Sequence, residues 1–359
     1  MLAARAFGAR RPRRPTRPIQ ERGFDSIMSA HHPDAETVQA ALALAVRAPS
    51  IHNSQPWRWR VGPHSMHLYA DPAMHLVHTD PDGRDLILSC GLVLDHCAVA
   101  LAALGWQAKI HRFPNPADRD HLASIEYHRR SPAETDIALA AAIPNRRTDR
   151  RHFSGWPVPS GHLATMSARA ARMGAVVRRV VTDSAFESIL QQAETLHLDD
   201  KNYLSELAQW SGRHAATLGV PARNAPEPGL DGSAYRLFVG GELKQPSTEP
   251  PAADNGVVVA LGTDGDDILA QLRAGEAASQ LVLTATSLGL ASCIGTEPLE
   301  LTSTRDALRQ HIFGASHFPQ MLLRIGWAPV NAEPLSATPR RPLGDVVSWL
   351  GGTPFDPLR

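Results

Sequence analysis

The chain has 359 residues, enough for one large domain or two ordinary ones, and its 43% apolar content supports a sizeable core. Lys plus Arg equals Asp plus Glu at 36 each, which excludes a dedicated nucleic-acid binder: such a protein needs net positive charge to release counterions. The balance is uneven along the chain. Residues 1–28 hold seven arginines and two acids, leaving 29 basic against 34 acidic groups in the mildly acidic remainder.

Residues 1–30 read as a disordered, Arg-rich tail. It has no apolar stretch of the secretory kind, and either a transit peptide or translation starting at Met28 accounts for it. Asp34 caps a helix that runs to Ala48, where Pro49 ends it. Pro49–Trp57 is a polar loop feeding a strand, in which Trp57, Trp59 and Val61 alternate with Arg58 and Arg60. Met66–Ala70 is its hairpin partner. Arg84–Gly105 is a long helix, apolar nearly all round and therefore central; Asp95-His96 interrupts its apolar run and argues against a membrane span. Trp106–Phe113 and Leu122–His128 alternate as strands, and a short helix leads to Asn145.

Next comes Arg146-Arg147-Thr148-Asp149-Arg150-Arg151-His152-Phe153, with four arginines within six positions. Guanidinium groups make forked bonds to phosphate oxygens, so a phosphate-bearing ligand is one reading, and a solvated basic turn before a helix is the other. Helices follow at Ser160–Met173, Asp183–Leu198 and Lys201–His214, with a strand at Ala175–Val181. Residues 219–256 then hold twelve Gly or Pro in thirty-eight positions, among scattered apolar residues (Leu230, Tyr235, Leu237, Phe238, Val239). A connection this long is a linker, a disordered segment or a lid, and the apolar residues favour a segment that packs on something. Val257–Leu261 is a continuous apolar strand. Asp266–Leu288 and Thr302–Phe313 are helices, Gln320–Gly326 is a strand, and Arg340-Arg341 lies in a Pro-rich end.

A weak internal repeat is visible. Gly91 and Gly105, and Gly275 and Gly289, stand fourteen apart in the two long apolar helices, and Pro114 and Pro298 keep one offset. Two copies of one α+β unit packed face to face would bring the Pro49–Trp57 loop to the arginine cluster.

Other chemistries lack their motifs. No G-x-G-x-x-G follows a strand, and there is no P-loop, G-x-S-x-G, H-E-x-x-H or paired-cysteine spacing. His75 and His78 with Asp71 and Asp80 read as turn and surface residues rather than a metal site. Cys90, Cys97 and Cys293 are too few and too odd for a disulfide framework and suit a reducing cytoplasm. The first two read as buried helix residues, and Cys293 as a structural thiol. His52 reads as a hydrogen-bonded structural histidine, and Trp57 and Trp59 as core residues.

Taken together, the stretches resemble the nitroreductase superfamily of flavin enzymes. The matching motifs are Arg146-Arg147-Thr148-Asp149-Arg150, Pro49-Ser50-Ile51-His52-Asn53-Ser54-Gln55-Pro56-Trp57, Gly289-Leu290-Ala291-Ser292 and Arg340-Arg341. The order within one chain is similar to the Acg branch, in which a nitroreductase homodimer is fused into one polypeptide. The resemblance implies an α+β nitroreductase-like fold, with two tandem pseudo-repeats forming an intramolecular dimer and long central helices packed on antiparallel or mixed sheets. It places the first repeat at 31–142 and the second at 143–359, with a lid insertion at about 211–250.

It also implies FMN as cofactor and NAD(P)H as electron donor to a nitroaromatic or quinone-like acceptor. The alternative is an FMN-storage protein whose lid blocks the nicotinamide. In that scheme Arg146 and Thr148, with Arg147, hold the phosphate and ribityl chain, and Arg150 faces the flavin pyrimidine. Pro49, Ser50 and Asn53 belong to the loop reaching onto the isoalloxazine. Ile294, Gly295 and Thr296 contact the flavin near N5, and Arg340 and Arg341 are late phosphate ligands. No side chain need act as catalytic acid or base, no metal is implied, and the expected setting is cytoplasmic, away from nucleic acid and membrane, as a monomer (pseudo-dimer) or homodimer. The sequence departs from the family in two places: two residues separate Arg150 from Phe153, and the first repeat lacks an R-R-S stretch, so one complete flavin site per chain is expected.

Overall fold

The structure is a computed structural model. It describes residues 32–214, 216–227, 236–245, 254–330 and 332–356. The tail at 1–30, together with Leu230 and Tyr235, lies outside the described residues.

Helix α1 (Ala35–Ala45) starts where expected, with the Asp34 carboxylate accepting from Thr37 N at 2.8 Å. A 3₁₀ turn, Ile51–Asn53, leads into strands β1 (Trp57–Val61) and β2 (Ser65–Ala70), and then helix α2 (Arg84–Ala103). Strands β3 (Trp106–Arg112) and β4 (His121–Arg129) precede α3 (Glu134–Ala142) and α4 (Ser160–Arg172). Strand β5 (Val176–Arg179), α5 (Ser184–Asp199), α6 (Lys201–Trp210), β6 (Val257–Thr263) and α7 (Ile268–Ser287) follow. The chain closes with β7 (Ala291–Gly295), α8 (Glu297–Glu300), α9 (Thr302–Phe313), β8 (Phe318–Gly326), α10 (Leu343–Val346) and β9 (Val347–Trp349).

Two sheets result. The first has the order β3-β4-β2-β1-β9, and the second β5-β6-β8-β7. The second is antiparallel throughout, whereas the C-terminal β9 adds to β1 in parallel, so the first sheet is mixed. That last strand carries the end of the chain back onto its first half. The chain is thus an α+β protein, with α2 against the first sheet and α7 against the second.

α2 and α7 cross in backbone contact. A Cβ added at Gly91 would lie 2.1 Å from Leu272 O, and one at Gly275 would lie 2.2 Å from Leu88 O. Gly91 and Gly275, one from each pair of glycines fourteen apart, are therefore where the two helices touch. α2 is long and apolar enough to cross a membrane by length and composition, but 83% of its apolar window is buried within the protein. Trp57 and Trp59 are fully buried in the same core, as expected, along with Cys90 and Cys97. A smaller cluster, including Phe186, Leu308 and Phe313, fills the space under α5 and α9.

The polar pair inside α2 faces α7. Ser279 Oγ donates to Asp95 Oδ2 at 2.5 Å, and Gln280 Nε2 donates to Asp95 Oδ1 at 2.8 Å. Burial pushes the Asp95 carboxyl up to about 7, with Ser279 and Gln280 pulling against it. The folded state therefore prefers the protonated acid. This contribution is complete below the ordinary aspartate pKa and is lost as pH rises through about 7. Asp95→Asn should be more stable than wild type at about pH 8, by on the order of 2–4 kcal/mol, and less dependent on pH between about 4 and 7. Urea midpoints across that window check this; equal slopes for the two proteins would contradict it.

Candidate functional site

One face of α2 sets the floor of a cleft. Asp85, Leu88, Ser89 and Leu92 line it at three- and four-residue spacing. Ser50, Ile51 and His52 enter from the first half of the chain, and Thr148, Arg150, Ile294 and Thr296 from the second. A single chain therefore assembles the cleft. The space between these residues, open mouth included, is about 520 Å³.

The loop at Ser50–Gln55 is strained. His52, Asn53 and Gln55 all have left-handed φ values, 41°, 56° and 52°. Side chains hold it there: Gln55 N donates to Ser50 Oγ at 2.9 Å, and Ile51 N donates to Ser89 Oγ at 3.1 Å. Asn53 Nδ2 donates to Gly219 O and Pro339 O, each at 3.1 Å, and Gln55 Nε2 donates to Thr217 O at 2.8 Å. Such over-determined strain clusters at ligand sites. Ser50 thus lines the cleft, while Asn53 ties the loop to the 217–219 segment and the C-terminal tail. Pro49, half-buried, sits at the loop's start, outside the cleft lining.

The arginine stretch runs beside β7, with Asp149 N donating to Ser292 O at 2.9 Å. Arg146 is buried, its Nη1 is 3.4 Å from Thr148 Oγ1, and its Nε has no partner. Burial lowers its pKa to about 10, and Arg147, Arg150 and Arg47 push it the same way. Arg340 falls to about 9 for the same reason, under burial and then Arg146, Arg47 and Arg147. Like charges brought this close favour a negative charge beside them. Among the described residues no carboxylate is ion-paired with Arg47, Arg146, Arg147 or Arg340.

Two expected ligands are placed differently from the rest. All five N–H groups of Arg340 are taken by main-chain carbonyls: Nε by Val46, Nη1 by Thr338 and Pro339, and Nη2 by Arg47 and Ala48. It caps the end of α1, and what it offers an anion is its charge rather than a direct bond. The Arg341 guanidinium lies 3.5 Å from Asp71 and 3.3 Å from Asp345 O, and so is engaged outside the cluster. Arg147 donates to Leu335 O and Pro144 O. Gly295 ends β7 between the two lining residues Ile294 and Thr296. Cys293 is buried and its thiol is pushed up by burial, as a structural thiol should be.

Part of the cleft lining comes from the segment expected as a lid insertion at about 211–250. Val220, Arg236 and Phe238, from the Gly/Pro-rich segment, line it too. The Arg150 guanidinium lies 4.6 Å from the centre of the Phe238 ring, and its Nη1 donates to Asn224 O at 2.8 Å. Arg236 enters a nest of acids. It pairs with Glu300, lies 3.6 Å from Asp85, and donates to Thr296 Oγ1 and to His52 Nε2, the last at 3.0 Å. Leu237 N donates to Glu297. Burial opposes the charge on Arg236, but Glu300, Tyr203 and Asp85 outweigh it and hold the guanidinium above its ordinary pKa. Asp85, His52 and Arg236 line the cleft and Arg47 stands with the arginines beside it, although of these only His52 lay in a recognisable motif.

The family model described as "Nitroreductase family" matches residues 143–327. A Mycobacterium tuberculosis H37Rv protein named "Putative NAD(P)H nitroreductase Rv3131" is 59% identical over 327 residues, covering 90% of this chain and 94% of that protein. "Putative NAD(P)H nitroreductase acg" from the same strain is 37% identical over 323 residues, covering 87% of this chain and 95% of that protein. Among solved structures, an FMN-bound nitroreductase from Desulfitobacterium hafniense is 15% identical with a TM-score of 0.38, covering 59% of this chain and 98% of that one.

Proposed function

Because this chain belongs to the nitroreductase family, we propose that it is an FMN-dependent oxidoreductase drawing electrons from NAD(P)H for a nitroaromatic or quinone-like acceptor. The observation that carries the cofactor assignment is the group of arginines gathered around the buried Arg146, which joins the cleft at Thr148. A phosphate monoester supplies the negative charge that this group lacks, and the partnerless Arg146 Nε is a donor ready for it.

Bound FMN would supply the redox chemistry, hydride acceptance from NAD(P)H and electron delivery to a second substrate by turns. The chain's own residues bind and orient. Arg146 and Thr148 hold the phosphate end, with Arg47, Arg147 and Arg340 adding charge. Leu88, Leu92, Ile294 and Met321 form the apolar slot for a ring. Arg150 places a cation where reduction of the ring adds negative charge. No side chain in this scheme transfers a proton. The same reading treats 31–142 and 143–359 as two copies of one unit whose cleft is completed within the chain.

A second reading has one observation in its favour: Arg236 and Phe238 stand in the cleft, so the segment they belong to would act as a lid that keeps nicotinamide out. In either case FMN should titrate to one molecule per chain by quenching of flavin fluorescence. Protein that takes up no FMN under any loading condition would sink both readings.

A further inference from the structure

His52 is buried, lines the cleft, and is held at a left-handed φ of 41°. Its two ring nitrogens have different surroundings. Nε2 lies 3.0 Å from Arg236 Nη1. A guanidinium only donates, so Nε2 must accept. Burial, then the charges of Arg236 and Arg150, keep the ring neutral. A neutral imidazole that accepts at Nε2 carries its proton on Nδ1. Nδ1 is also buried, and it has no partner.

Arg236 cannot readily turn away from this role. Glu300, Asp85 and Thr296 Oγ1 fix its guanidinium from the other side, and Thr296 Oγ1 in turn donates to Asp85 Oδ2 at 2.6 Å. The acidic nest thus sets the orientation of Arg236, and Arg236 sets the tautomer of His52. What results is a buried N–H donor with no protein partner, on a residue that lines the cleft with Arg150, Ile294 and Thr296. Buried donors in folded proteins are almost always satisfied, so this one calls for a partner that the protein itself does not supply.

We propose that His52, locked by Arg236 as the Nδ1–H tautomer, donates through Nδ1 to a carbonyl oxygen or ring nitrogen of the isoalloxazine bound in the cleft and raises its reduction potential. The proposal rests on the FMN reading above. Reduction adds electron density at those acceptor atoms, so a donor there stabilises the reduced ring more than the oxidised one. His52 touches the cofactor; Arg236 is a positioning residue.

The test uses the FMN-loaded protein. Nitrogen-15 NMR of wild type should show His52 protonated at Nδ1 and bare at Nε2, and in Arg236→Met the two tautomers should mix or reverse. The midpoint potential of bound FMN should be more negative in His52→Phe. It should return towards wild type in His52→Asn, whose amide N–H occupies the Nδ1 position and whose side chain tolerates left-handed φ. His52 protonated at Nε2 in wild type, or a His52→Phe potential equal to wild type with FMN bound, would overturn the role of His52 alone. Wild-type protein that binds no FMN would overturn the cofactor reading and this proposal with it.

Discussion

Arg146→Ala should bind FMN roughly 10- to 150-fold more weakly than wild type, the loss of one charge-assisted contact of about 1.5–3 kcal/mol. Riboflavin, which lacks the phosphate, should bind the two proteins alike. The reason is local: Arg146 is buried, its Nε has no protein partner, and the charges acting on it are other arginines. Removing it takes away a phosphate donor without breaking a contact that holds the fold. Arg340→Ala should behave differently. Its guanidinium bonds the carbonyls of Val46, Arg47 and Ala48 at the end of α1, so stability should fall together with FMN affinity. Isothermal titration with both flavins separates the cases. An equal loss of FMN and riboflavin affinity in Arg146→Ala would move the phosphate elsewhere.

The second large effect is at the helix crossing. Gly91→Ala should destabilise the protein by about 3 kcal/mol or more, at or beyond the upper end of ordinary overpacking. The new methyl would sit 2.1 Å from Leu272 O and 2.8 Å from Gly275 Cα, both backbone atoms that move only if the helices part. Parting them would also open the floor of the cleft, because Leu88 and Leu92 flank Gly91 on α2. Gly161→Ala is the matched control. It lies in α4 with nothing within 4 Å of the added carbon, and should be neutral or stabilising by up to about 1 kcal/mol. Urea midpoints of the two variants give the comparison, and equal midpoints would contradict the close crossing.

Those glycines also show what a sequence can reveal. Gly91 and Gly275 stood out by their matching positions in two apolar helices, and backbone meeting backbone requires glycine there on both sides, whereas Gly105 and Gly289 follow the helix ends at φ of 87° and 79°. The Pro49–Trp57 loop and the arginine stretch were legible because each packs several unusual residues into a short span. The structure brings Ser50, His52, Thr148 and Arg150 to one cleft.

What stayed hidden has physical causes as well. Strand β9 has three residues, too few to show a period, and only its parallel pairing with β1 makes it a strand. Helix α6 ends at Trp210, short of the expected His214. Ser211 turns extended there, its Oγ donating to Leu207 O at 2.7 Å and accepting from Val239 N at 3.1 Å, a partner distant in sequence. Arg236 sits in a segment without periodicity, and its partners Asp85 and Glu300 come from α2 and α8, so no spacing rule connects them. Arg340 carried the right charge for the expected role, but its contacts depend on where the returning C-terminal tail meets α1. Local pattern finds elements and dense motifs. It does not find a single side chain crossing from one element to another.

The most direct test of the proposed activity is an anaerobic stopped-flow absorbance trace of FMN-loaded protein mixed with NADPH and then with NADH. Bleaching of the flavin band on a catalytic timescale with at least one nicotinamide is the expected result, and it would make the segment around Arg236 a cover that opens for turnover. A band that bleaches with dithionite but with neither nicotinamide would contradict the oxidoreductase and leave a protein that holds flavin under a closed lid.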